Sequence, residues 1–241
     1  MSIFLSEISY SSLKTHLDRR PNQPVVVRGA ATAWPALQKG IAGLLAQLPQ
    51  LRDDEAVPLG RLGKVDPWLT HATPLPALRE TALVETTLVT RFADGTVSAL
   101  HRDYADNLHT VLHGEKSWMI APRNTPFCVV QPGAPGGPLG PQNSIFRTFD
   151  ELAARLGRYG IPLRLRAGDT LYLPRGTWHA VKSHGGTDDS YGATSLIYTF
   201  FRPGEPRICR ALALPFLTRL HNTLRSARRE AELESGLRAN R

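Results

Sequence analysis

Cysteine is nearly missing from this 241-residue chain, with Cys128 and Cys209 its only two. Two thiols so far apart give neither a disulfide framework nor a zinc-ligand spacing, which leaves them as buried or idle side chains. Long apolar runs are missing too: no window approaches the roughly 18 consecutive apolar residues of a membrane-spanning helix. The opening "MSIFLSEISYSSLKTHLDRR" has no apolar stretch behind a basic start, so it does not read as a secretory leader, and a cytoplasmic protein is the expectation. Acidic residues are in deficit, 21 against 29 lysines and arginines, for a net charge of +8. That balance favours polyanions, acidic peptides or carboxylate-bearing small molecules. Much of the excess falls between Arg207 and Arg241, so it can equally be a property of one local helix. Repeats are absent, and the one biased stretch, "QPGAPGGPLGPQNS", excludes a central strand or helix and reads as a connector or a substrate lid. What is present is an ordinary globular composition, 41% hydrophobic and 21% charged, in a chain long enough to bury a sizeable core.

The local patterns divide the chain. "SEISYSSLKTHLDRR" predicts a short helix through Leu13 and Leu17, "VVV" at Val25 to Val27 a buried strand, and "ALQKGIAGLLAQL" a second helix. From about residue 80 the pattern changes to strands and turns: "ALVETTLVTRF", "TVSALHRD", "NLHTVLHG", "KSWMIAP" and "FCVV". Turns are expected at Ala93 to Gly95 and at His113 to Lys116. "FDELAARLGRYG" predicts a helix, with strands resuming in "IPLRLRAGDTLYLPRGTWHAVKS" and "ATSLIYTFFRP". The remainder reads as helical and broken near Pro215, with a narrow apolar stripe through Leu217, Leu220, Leu224, Ala227 and Ala231. That stripe packs on the parent domain or forms a homodimer contact. The expected organisation is therefore a mainly β domain over residues 1–204 with flanking N-terminal helices, and a C-terminal helical segment over 205–241.

The chemistry concentrates in "SALHRDYADNLHTVLHGEKSW", residues 98 to 118. His101 and Asp103 lie two apart, so on a strand both side chains share a face and can meet one divalent ion. His-x-Asp alone is a common accident. "GDTLYLPRGTWHAVKS" supplies the third donor, His179, at the head of another strand behind a proline-containing turn. Two histidines and one carboxylate on one coordination face, with open positions opposite, is the ligand pattern of non-haem Fe(II) oxygenases. Lys116 starts the strand after the "HG" turn: it is an exposed turn lysine, or, inside a barrel, a cation that needs an anion such as the far carboxylate of a dicarboxylate co-substrate.

With these blocks in hand, the chain resembles the JmjC-type, cupin-like branch of the Fe(II)- and 2-oxoglutarate-dependent oxygenases. The likeness runs through "VVVRGAATAWPAL", "SALHRDYADNLHTVLHGEKSWMIAP" and "GDTLYLPRGTWHAV" in order. It implies a double-stranded β-helix, or jelly-roll, with His101, Asp103 and His179 as iron ligands. It further implies Lys116 and Ser98 on the distal carboxylate of 2-oxoglutarate, and Asn107 lining the same pocket. On an ideal strand Ser98 would face away from His101, so its role requires a bulge. The family's co-substrate tyrosine on an earlier strand has no counterpart in "ALVETTLVTRF", where Thr87 and Thr90 are the nearest substitutes. Tyr198 and Phe200 fall on the strand where relatives carry an asparagine and a tryptophan, and are expected to shape the pocket. Tyr104 and Arg102 are candidates for substrate contact, Trp178 for packing beside a ligand, and Trp34 for the core. His109, His113 and Asp106 read as bystanders, and His184, Asp188 and Asp189 as a solvated loop.

The activity so implied is hydroxylation of an amino-acid side chain in a peptide or protein, with 2-oxoglutarate and O2 converted to succinate and CO2. The alternatives are the same chemistry on a small metabolite or an RNA base, or a non-catalytic metal- or ligand-binding cupin module.

Overall fold

The computed structural model describes residues 5–47, 56–60, 82–91, 95, 97–103, 105–125, 149–185 and 192–201. Both cysteines, the "FCVV" strand, the proline-glycine stretch and the C-terminal helical segment lie outside them.

Eleven strands form two sheets. In chain order they are β1 (Ser6–Ile8), β2 (Val25–Val27), β3 (Ala56–Gly60), β4 (Ala82–Arg91), β5 (Val97–Arg102), β6 (Asp106–His113), β7 (Glu115–Ala121), β8 (Ile161–Arg166), β9 (Thr170–Leu173), β10 (Trp178–His184) and β11 (Ala193–Phe201). The large sheet runs β1-β2-β9-β6-β11-β4-β3 and the small one β5-β10-β7-β8. Among the described residues only β1 and β2 pair in parallel, and every other pairing is antiparallel. From β4 onward the chain alternates between the sheets except at β7 and β8, which both lie in the small sheet, and β4, β6, β9 and β11 face β5, β7, β8 and β10. This is a mainly β, double-stranded β-helix with a jelly-roll core, as the sequence led one to expect.

Three apolar layers hold it. Between the sheets lie Val111, Trp118, Ile120, Leu163, Leu165, Leu171, Leu173 and Val181. Behind the large sheet, α1 (Leu13–Arg19) and the start of α2 (Pro35–Gln47) bring Leu13, Leu17, Trp34 and Ala36 onto Leu88, Leu108, Tyr172, Leu196, Tyr198 and Phe200. Behind the small sheet, α3 (Phe149–Leu156) buries Leu152 and Leu156 against Leu100, Met119, Trp178 and Ala180. Each fully buried side chain of this size contributes about 1.5–3 kcal/mol, so strands clothed on both faces resist opening at either.

Several local expectations change. "SEI" is a strand, drawn to β2 by parallel pairing, and the helix starts only at Leu13. The second helix is broken at Gly40, whose φ of 64° lies in the left-handed region open to glycine. His184 ends β10 and its Nε2 meets the Ser117 hydroxyl at 2.8 Å, so it belongs to the sheet and not to a loop; Asp188 and Asp189 lie outside the described residues. The "AGDT" turn between β8 and β9 is tied by Asp169, whose carboxylate accepts from Arg28 Nη1 (2.7 Å), Gly29 N (3.0 Å) and Arg166 N (3.1 Å).

Candidate metal centre

In the small sheet β10 lies between β5 and β7, and His179 sits directly across from His101 in the antiparallel register. Their ring centroids are 4.1 Å apart. Asp103 follows the end of β5, and its Oδ2 stands 3.6 Å from His179 Nε2. One donor atom from each of the three lies within 4.8 Å of the others, close enough for a single ion. Among the described residues this is the one such cluster.

Two of the three donors, His179 and Asp103, are held by hydrogen bonds. The His179 Nδ1–H donates to the Thr177 carbonyl at 3.0 Å, which leaves the Nε2 lone pair for an ion. Asn107 Nδ2 donates to Asp103 Oδ2 at 2.5 Å, and the Asn107 carbonyl oxygen accepts from the Thr199 hydroxyl at 2.7 Å. The turn between β9 and β10 is pinned to the same corner: Gly176 N donates to the Asp103 carbonyl and Arg175 N to Asp106 Oδ1, each at 2.8 Å. Asp106 is thus structural, fixing the turn that aims His179.

Burial, with His101 adding, lowers the His179 pKa from 6.5 to about 4, against smaller opposing effects of Asp103 and the Thr177 carbonyl. The imidazole is neutral near pH 7 and need expel no proton to bind a cation. Two imidazoles and a carboxylate suit a divalent transition metal, and the donor set matches the facial pattern of non-haem iron.

Lys116 is 5% exposed, so it is no turn lysine. It alternates with Trp118 and Ile120 on β7 and pairs across with Ser183 of β10, on the interior face that carries His179 and Val181. Between His101 and Ser98 the register with β10 shifts by one residue. Two β5 residues there oppose one on β10, and this bulge sets Ser98 opposite Val181 on the interior side despite its odd spacing from His101.

Tyr198 and Phe200 do not reach the pocket. They face the helices behind the large sheet, where Tyr198 meets Trp34 edge-on at 6.5 Å. The interior residues of β11 are Ser195, Ile197 and Thr199, opposite Val111, His109 and Asn107. Thr87 of β4 pairs with Ile197 and shares that face, whereas the Thr90 side chain lies outside the described residues. Arg102 lies over the Trp178 ring at 4.9 Å on the reverse of the small sheet; Tyr104 is outside the described residues.

Two interior residues went unassigned in the sequence. Thr199 orients Asn107, and nothing in the doubly buried β11 marked it in the sequence. His109 is buried, its ring 4.9 Å from Trp118 and 6.2 Å from His179, so it is neither solvent-facing nor a ligand of the cluster.

No curated protein matches the chain. A family model described as a cupin-like domain matches residues 69–204, over half of the sequence and the whole alternating run of strands from β4 to β11. Two facing sheets, a His-Asp-His cluster at the rim of the small one and this match agree: the chain belongs to the cupin-like domain family.

Proposed function

We propose that the protein is an Fe(II)- and 2-oxoglutarate-dependent oxygenase that hydroxylates an amino-acid side chain of a peptide or protein. The observation that carries the reading is a buried cation on the metal-facing wall: Lys116 lies in the same interior as His101, Asp103 and His179. A binding barrel needs no open coordination positions and no lysine paid for by burial, whereas a chelating dicarboxylate needs both.

Iron, 2-oxoglutarate and O2, when bound, supply the oxidising power, releasing succinate and CO2. The chain's residues position and insulate that chemistry. His179, held by Thr177, and Asp103, held by Asn107, keep their donor atoms aimed at one point. Lys116 neutralises the distal carboxylate, with Ser98 as a second donor from the bulged strand. Trp118, its ring 5.8 Å from that of His179, walls one side of the pocket and excludes water. A peptide substrate accords with the resemblance to JmjC-type hydroxylases, and the net charge of +8 favours an acidic one.

Anaerobic addition of Fe(II) and then 2-oxoglutarate tests the chemistry, through the weak visible charge-transfer band of the chelate. The band should form with the unmodified protein, vanish in His179→Ala and require far more 2-oxoglutarate in Lys116→Met. Absence of the band, or its persistence unchanged in His179→Ala, refutes the oxygenase reading. Mass spectrometry of peptides, small metabolites and RNA for a gain of one oxygen then identifies the substrate class.

A further inference from the structure

His109 is an interior residue that neither the packing nor the metal cluster accounts for. It is 7% exposed, and its Nε2 is sealed from solvent without a hydrogen-bond partner among the described residues. A buried polar atom left unpaired lowers stability and calls for an explanation. Packing does not supply one: its partners in register are Leu171 of β9 and Ile197 of β11, between which a leucine would fit at no such cost. An imidazole carries at least one N–H in either protonation state, so the ring has a proton to donate.

The surroundings say to what. The ring touches Trp118, which alternates with Lys116 on β7, and it lies beside His179. It therefore faces the interior wall that carries His179, Trp118 and Lys116. We propose that His109 is a co-substrate-binding residue, its imidazole N–H donating to the distal carboxylate of the 2-oxo acid that Lys116 neutralises. This rests on the oxygenase reading above and adds a ligand contact to it. β4 and β6 flank β11, and Ile197 pairs with Thr87 on one side and His109 on the other, so the two polar residues stand at the same level of the wall.

Calorimetry on the full chain loaded anaerobically with Mn(II) separates the contact from turnover, using 2-oxoglutarate and 2-oxobutyrate, which lacks the distal carboxylate. His109→Leu should bind 2-oxoglutarate about tenfold or more weakly, the worth of a hydrogen bond to a charged group, with 2-oxobutyrate changed by less than about twofold. Mn(II) affinity should be unchanged, and His109→Gln, which keeps an N–H, should recover most of the loss. Thermal melting of His109→Leu at or above the parent midpoint shows that the variant folds. Equal losses for both acids, or none for 2-oxoglutarate, overturn the assignment and leave the oxygenase reading standing. Mn(II) binding without any 2-oxoglutarate binding by the unmodified protein removes that reading and this contact with it.

Discussion

Acidifying the metal-free protein from pH 7 to pH 5 should destabilise it by about 2 kcal/mol through His179 alone. In the fold this imidazole titrates near 4, while in the unfolded chain it takes up a proton from 6.5 downward. Between those values the unfolded state binds more protons, so the contribution is intact above pH 6.5 and is lost as the pH falls toward 4. Burial, the larger cause, is a property of β10 lying centrally in the small sheet, and His101 directly opposite supplies the rest. His109, lowered in the same direction and mainly by burial, adds to the loss. About 2 kcal/mol is a large part of the 5–15 kcal/mol that holds a typical domain together. Urea unfolding in the presence of a chelator should show the midpoint falling by about 1 M between the two pH values. Carboxylates also contribute to acid sensitivity, so the decisive comparison is a His109→Leu, His179→Leu double variant, whose midpoint should move much less. An unchanged midpoint in the parent, or an equal shift in the double variant, refutes the placement of these rings in the interior.

Asn107→Ala removes the donor that holds Asp103 and should weaken Mn(II) binding about 10–100-fold without loss of the circular-dichroism signal; unchanged affinity refutes the positioning role. Gly114→Ala places a Cβ 2.8 Å from the carbonyl oxygens of Gly192 and His184 at a φ of 68°. It should lower stability by about 1–3 kcal/mol, read as a drop in melting temperature. Asp169→Ala strands the backbone N–H groups of Gly29 and Arg166 and should cost about 1–3 kcal/mol in chemical denaturation, with metal affinity retained because the turn is remote from the donor cluster.

The strands, the turn at His113 to Lys116 and the three candidate donors were legible because they depend on short-range features: alternation, turn residues, and a His-x-Asp pair completed by a histidine behind a proline turn; that this turn crosses between sheets, and does not close a hairpin, was not, because β6 and β7 pair with other strands. What was not legible depends on partners. The bulge that turns Ser98 inward is a count of two residues against one, and half of that count belongs to β10. Tyr198 and Phe200 were assigned to the wrong face because β11 is buried on both sides, so its run of apolar residues carries no parity signal. The same double burial hid His109: on a strand with water on one face a histidine marks the wet side, and β6 has none. "SEI" is a strand only because β2 lies beside it, since three residues carry too little pattern of their own.

The position of β10 sets an order of events. β5 and β7 are not bonded to each other; β10 fills the gap between them, and it comes from a part of the sequence made well after both. A nascent chain that has reached only β8 holds His101 and Asp103 but presents two bare strand edges where His179 will dock. Its metal affinity is that of two donors without the third. The three candidate donors therefore come together in the same step that zips the small sheet shut, and any metal site forms with the completed sheet and not before it.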